Sequence, residues 1–262
     1  MSDVVALSQT GSVLTVALNR PEVHNAMTPE MVSGLTAVFR EVNSRDDVRV
    51  VVLTGNGRSF CAGADLAFMR AAADYTFEQN LADGQAIFDL MQAVDECAKP
   101  VVGRINGAAI GGGAGLVSCC DIVVAVERAK FGFSEVRLGI APAVISPFVM
   151  AKIGPANARE LFLTGERFDA HHAHRIGLVH HVVAEEELDE KIAERVHALL
   201  QAAPGAQADI KKLIRTVAWQ PKETVRAFTA ELIARRRASE EGKEGMSAFL
   251  EKRKPWWQEN HE

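Results

Sequence analysis

Asn106-Gly107-Ala108-Ala109-Ile110-Gly111-Gly112-Gly113-Ala114-Gly115-Leu116 is the stretch on which the reading of this 262-residue chain turns. It follows the β-prone run Val101–Ile105 and leads into a helical pattern, so its glycines lie between a strand and a helix N-terminus. Glycine lets a backbone N–H approach a ligand with no Cβ in the way. A helix start adds unpaired N–H donors and the positive end of a dipole. Both features suit an anion or a charge that develops negative during reaction. Two phosphate motifs do not fit: no Lys-Ser or Lys-Thr follows the glycines, and Gly107-x-x-x-Gly111-x-Gly113 has the wrong spacing for a dinucleotide fingerprint. Close helix–strand packing is the alternative use of these glycines. The surrounding uncharged run, 105–120, is too short and too glycine-rich to span a bilayer.

Working outward, residues 48–54 are nearly continuous β-branched sequence, the pattern of a strand buried on both faces. They lead through Gly55-Asn56-Gly57 to a second small-residue loop, Ser59-Phe60-Cys61-Ala62-Gly63-Ala64-Asp65-Leu66. Two such loops can each offer one N–H to the same carbonyl oxygen, the device that stabilises an oxyanion or enolate. Val13–Leu18 reads as a strand, and Thr28-Pro29 starts a helix carrying Met31, Leu35, Val38, Phe39 and Val42. Residues 67–98 read as helix with a break near Asp74 and Tyr75; 121–126 and 131–133 read as strands; 186–203, 207–217 and 222–252 read as helices. The first half therefore alternates strand and helix, and the last third is helical.

Composition narrows the classes of function. A formal net charge of −5 gives no basic footprint for nucleic acid. The opening MSDVVALSQTG has no basic segment followed by an apolar one, and four sparse cysteines form no C-x-x-C pair, so a reduced, cytoplasmic protein is expected. His171, His172 and His174 suggest a metal, but only His171 and His174 share a helix face, so a solvated helix between Asp169 and Gly177 is expected, with the same reading for His180-His181. No G-x-S-x-G elbow is present.

The ordered set Arg20-Pro21-x-x-x-Asn25-Ala26, Ser59 to Leu66, Asn106-Gly107-x-x-x-Gly111-Gly112-Gly113 with Cys120-Asp121-Ile122, and Phe249-Leu250-Glu251-Lys252-Arg253-Lys254-Pro255 resembles the enoyl-CoA hydratase/isomerase (crotonase) family over nearly the whole chain. The resemblance implies an α/β fold, a ββα-spiral core over 1–200 with a C-terminal helical oligomerisation region over 201–262, and a homotrimer or a hexamer of two trimers. It implies an acyl-CoA substrate, no membrane partner, and no cofactor or metal beyond the coenzyme A that belongs to the substrate. The thioester oxygen falls to the amides of Ala64 and Gly112. Coenzyme A contacts fall on Glu22, Val23, His24, Ala62, Ala64, Asp65, Leu66, Gly112, Phe249 and Lys252.

The family's hydratases use two glutamates. The position of the first is Gly115 here, and that of the second is Glu135, within Ser134-Glu135-Val136-Arg137. A carboxyl group in an apolar loop has a raised pKa and can act as both acid and base. The resemblance therefore implies hydration of a 2-enoyl-CoA with Glu135 as acid–base. The rivals are a 3-enoyl to 2-enoyl isomerase, which needs one carboxylate, and a non-catalytic acyl-CoA-binding protein. Asp74, Glu78 and Asp83 are the nearby carboxylates that could replace the missing one. Ala141-Pro142-Ala143-Val144-Ile145-Ser146-Pro147-Phe148 is similar to a bacterial subgroup acting on methylglutaconyl-CoA, which implies a branched acyl group. Val144 and Ile145 either line an acyl pocket or sit in the core, the core being the simpler place.

Overall fold

The computed structural model describes residues 3–259; the outermost residues of the two expected regions, 1–2 and 260–262, lie outside the described residues. The strands are β1 (Val5–Thr10), β2 (Val13–Leu18), β3 (Val50–Gly55), β4 (Val101–Ile105), β5 (Ala109–Ile110), β6 (Ile122–Val126), β7 (Lys130–Gly132), β8 (Arg167–Asp169) and β9 (His181–Val183). The helices are α1 (Pro29–Val42), α2 (Leu66–Ala72), α3 (Phe77–Asp95), α4 (Gly112–Cys119), α5 (Ser146–Thr164), α6 (Ala170–Arg175), α7 (Leu188–Leu200), α8 (Pro204–Val217), α9 (Lys222–Ala238), α10 (Glu240–Glu251) and α11 (Trp256–Glu259).

One sheet has the order β1-β2-β3-β4-β6-β9, and a smaller one has the order β5-β7-β8. β1 and β2 are antiparallel; every other pairing in the large sheet is parallel. All six residues of β3 are buried, which is why its sequence carries no polar alternation. α1 starts where Thr28 Oγ1 accepts from the Met31 amide at 3.2 Å, and it turns Met31, Leu35, Phe39 and Val42 into the core.

The expected helix over 67–98 is two helices. Asp65 caps α2, and a reciprocal Thr76–Gln79 capping box opens α3, so the break falls at Asp74 and Tyr75 as read. The expected helix over 222–252 is also divided, at Ser239, whose extended backbone stops α9 and whose hydroxyl accepts from the Gly242 amide to start α10. Gly242 stands three residues past the division, where a Cβ would collide with the Arg236 carbonyl, but it lies inside α10 and not at the break, so periodicity ran through it. His181 is not on a helix but in β9, and His180 Nδ1 accepts the Val123 amide at 3.0 Å. His171, His172 and His174 do lie on the short helix α6, capped by Asp169.

The C-terminal helices are tied to the core by Lys211 of α8. Its Nζ donates to Asp121 Oδ2 at 2.6 Å and to the Lys99 carbonyl at 3.3 Å, in a position only 9% exposed. Among the described residues, no helix is long and apolar enough to cross a membrane.

Candidate active site

The two small-residue loops run side by side. Cys61 pairs with Ala109 as a parallel bridge: the Cys61 amide donates to the Ala108 carbonyl at 2.9 Å and the Ile110 amide donates to the Cys61 carbonyl at 3.0 Å. Three residues further along each segment come Ala64 and Gly112. On its other edge the 61–66 loop meets the 24–27 segment. The Ala62 amide donates to the His24 carbonyl at 2.9 Å, the Met27 amide to the Gly63 carbonyl at 2.8 Å, and the Asp65 amide to the Met27 carbonyl at 2.9 Å.

In an extended chain the amides of residues 62 and 64 would face the same way. Gly63, at φ +97°, breaks that alternation. Ala62 and Asp65 both point their amides at the 24–27 segment, and the Ala64 amide is left turned away from it. Among the described residues the Ala64 amide has no protein acceptor. The same is true of Gly112, which opens α4 and so has no acceptor within the helix. Met27 lies between the two: it pairs with Ala64, and its Sδ is 3.2 Å from where a Cβ on Gly112 would stand.

Glu135 is delivered by the small sheet. β5 and β7 pair in parallel, Ile110 opposite Gly132, and the Gly111 amide donates to the Gly132 carbonyl at 2.8 Å. Three residues beyond Gly132, Glu135 opens a short 3-10 turn, and its Oε1 is 3.2 Å from where a Cβ on Gly111 would stand. Gly111 has φ +52°, so both its conformation and its neighbour require a bare backbone. Burial pushes the Glu135 carboxyl above the usual carboxylate range. Its Oε2 is shielded from solvent and has no hydrogen-bond partner among the described residues. The structure thus gathers two free amides and an unpaired carboxyl around the first turn of α4.

The position of the family's first glutamate is closed. A Cβ on Gly115 would lie 2.5 Å from Ile145 Cγ2, 3.0 Å from Ile145 Cβ and 3.3 Å from Met91 Cε. Ile145 is thus a core residue, 3% exposed, as the simpler reading held. Val144 is only partly buried and faces Gly84 of α3.

The expected coenzyme A contacts divide into two groups. Glu22, Val23 and His24 form an exposed turn held against the second loop, with His24 Nδ1 3.0 Å from Ser59 Oγ, and Ala62, Ala64 and Leu66 are exposed beside it. Asp65 belongs there by position, but its side chain is engaged by the fold and is not free for a ligand. Its Oδ2 accepts from Arg20 at 2.8 Å and its Oδ1 caps α2 through the Ala67 amide at 2.8 Å. Phe249, 83% exposed, and Lys252 lie at the end of α10, which packs on α9, and no hydrogen bond joins either side chain to the two loops. Sequence reading gave no role to Arg20, Met27 or Met91. Arg20 opens the Arg20-Pro21 to Ala26 motif and Met27 follows it, but a fixing partner and a floor residue leave no pattern in sequence.

The enoyl-CoA hydratase/isomerase family model matches residues 8–260. The chain belongs to the enoyl-CoA hydratase/isomerase family. A crotonyl-CoA hydratase of Syntrophomonas wolfei is 34% identical over 264 residues, covering 95% of this chain and 96% of the relative. Among solved structures, an enoyl-CoA hydratase from Shewanella pealeana superposes with a TM-score of 0.94 at 40% identity, over 97% of this chain and 96% of its own. Pseudomonas aeruginosa AtuE gives a TM-score of 0.94 at 36% identity, over 98% and 100%. This family member is therefore an enzyme of the crotonase superfamily with the α/β crotonase fold, and the non-catalytic reading falls away.

Proposed function

We propose that this enzyme adds water to a 2-enoyl-CoA thioester, with Ala64 and Gly112 holding the thioester oxygen and Glu135 moving the proton. The observation that carries this is the unpaired, half-buried Glu135 carboxyl against Gly111, one residue from the free Gly112 amide. The ionised carboxylate takes a proton from water as the water oxygen bonds to C3. The electrons of the double bond pass to the thioester oxygen as an enolate, held by the two N–H donors. The newly formed carboxylic acid returns the proton to C2, so one water is added and Glu135 is regenerated. An environment that raises the carboxyl pKa serves both halves of this cycle.

The closed Gly115 position favours a second reading. A single carboxylate taking a proton from C2 and giving it to C4 converts a 3-enoyl into a 2-enoyl thioester with no water at all. Glu135→Gln is expected to lower turnover by about 10³-fold while leaving coenzyme A affinity near wild type; unchanged turnover refutes both readings. Loss of 2-enoyl absorbance in water, against its gain from a 3-enoyl-CoA, separates them.

In this reading coenzyme A lies along Glu22, Val23, His24, Ala62 and Leu66, and no cofactor is needed beyond it. Phe249 and Lys252 reach the nucleotide of a neighbouring subunit in a trimer or hexamer, a placement in keeping with the exposure of Phe249 and Leu250 on α10 and of Trp219 in the α8–α9 turn. The place of action is the cytoplasm. The acyl group is branched: the partly buried Val144 suits an alkyl branch and offers no cation to a terminal carboxylate.

A further inference from the structure

Asp74 and Glu78 are exposed, but Asp83 is different. Its Oδ2 is shut off from solvent and has no hydrogen-bond partner among the described residues. Asp83 lies on α3 in the stripe that continues through Ile87, Leu90 and Val94, all packed into the core. The next residue, Gly84, faces Val144, whose Cγ2 is 3.8 Å from where a Cβ would stand. Two turns further on, Met91 meets Gly115 beside Ile145. Glu135 touches α4 at Gly111, and Gly115 is one turn beyond it. On the acyl-CoA reading, a chain running from Glu135 along α4 past Gly115 would bring its far end to this side of α3, beside Asp83.

An ionised carboxylate only accepts hydrogen bonds, and a buried acceptor without a donor is destabilising. A ligand that brings a donor relieves that; one that brings a second negative charge worsens it. We propose that Asp83 is a specificity-determining acceptor, selecting acyl chains that carry a neutral hydrogen-bond donor, such as a hydroxyl group, well past C3 and turning away chains that end in a carboxylate. This rests on the acyl-CoA reading above, and it narrows the branched, methylglutaconyl-type expectation to acyl groups without the second carboxylate.

The test uses the full chain and three saturated analogues of equal length: hexanoyl-CoA, 6-hydroxyhexanoyl-CoA and adipoyl-CoA, with Kd measured by calorimetry. The wild type is expected to bind the hydroxyl analogue about tenfold more tightly than hexanoyl-CoA and adipoyl-CoA about tenfold more weakly. Asp83→Leu is expected to reverse the hydroxyl preference. Asp83→Asn, which keeps an acceptor and loses the charge, is expected to retain that preference and to recover adipoyl-CoA binding. Crotonyl-CoA turnover is expected to stay within about threefold of wild type in both variants. Equal affinities in the wild type, or ratios unmoved by Asp83→Leu, overturn the proposal. So does loss of crotonyl-CoA turnover in both variants with unchanged circular dichroism, which puts Asp83 in the chemistry instead. Absence of crotonyl-CoA turnover in the wild type strikes the hydratase reading alone, since the Kd ratios still decide the role of Asp83.

Discussion

Gly115→Ala tests the packing that closes the first-glutamate position. The added methyl would sit 2.5 Å from Ile145 Cγ2 and 3.3 Å from Met91 Cε, against an optimum of about 3.5–4.0 Å for carbon pairs. Ile145 would have to retreat by about 1 Å into a close-packed interior. Overpacking of this kind costs about 1–3 kcal/mol. Replacing glycine by alanine inside α4 returns about 0.5–1 kcal/mol. The expected net loss is about 1–2 kcal/mol. Ile145→Ala alone should cost about 2–5 kcal/mol through its cavity. In the double variant the new methyl enters the space that Cγ2 has left, so the two losses should fall short of their sum by about 1–2 kcal/mol. Urea unfolding followed by circular dichroism, with calorimetry at one protein concentration, reads this directly; each kcal/mol corresponds to about 2–4 °C in Tm for a chain near this size. Additivity within about 0.5 kcal/mol refutes the contact. A Gly115→Ala variant more stable than wild type refutes it too.

Gly111→Ala forces φ +52° on alanine and puts a methyl 3.2 Å from Glu135 Oε1, so kcat should fall about 10²-fold with coenzyme A affinity little changed; equal kcat would show that Glu135 is not held there. A second carboxylate should fit only after room is made: Gly115→Glu alone should lose stable fold, while Gly115→Glu with Ile145→Gly should fold and raise hydration relative to isomerisation, and an unchanged product ratio in the folded double variant counts against the role given to that position. His180 is held down to about 4 by burial first and Lys152 second, against its ordinary 6.5. A depressed histidine contributes stability above the unfolded value and loses it as pH falls, so Tm should drop between about pH 6.5 and 4, and His180→Asn, which keeps an acceptor for the Val123 amide, should flatten that slope.

Legibility followed the reach of the interaction. The buried strand β3 showed itself through unbroken β-branched sequence, and the loops at 61–66 and 106–113 through their small residues, because each answers to a local constraint. The α9–α10 division escaped because Ser239 stops one helix and caps the next, and the glycine that accommodates the turn, Gly242, lies inside α10. β9 escaped because three residues, His181 to Val183, gain their strand only by pairing with β6. At the site, the amide pair was readable from two motifs, but the reversal at Gly63 that turns the Ala64 amide outward is a backbone angle and leaves no trace beyond a glycine. The closing of Gly115 was beyond any one-dimensional reading, since Ile145 arrives from thirty residues downstream.

That arrival shapes the chemistry more than the missing glutamate does. A lone glycine at 115 could leave a water-filled gap where the two-glutamate pattern has a carboxylate, and water there would keep the hydration route much as in a two-glutamate site. Ile145 and Met91 instead fill the space with carbon. Burial raises the Glu135 carboxyl, which in the proposed cycle suits a shared acid and base role. The carbon-filled space leaves the water needed for hydration with one protein acceptor among the residues of that turn, the unpaired Oε2 of Glu135. On the proposed mechanism, whether the thioester is hydrated or isomerised depends on how a single carboxyl divides its time between a water proton and the C2 proton, and the Gly115→Glu with Ile145→Gly variant changes that division without touching Glu135.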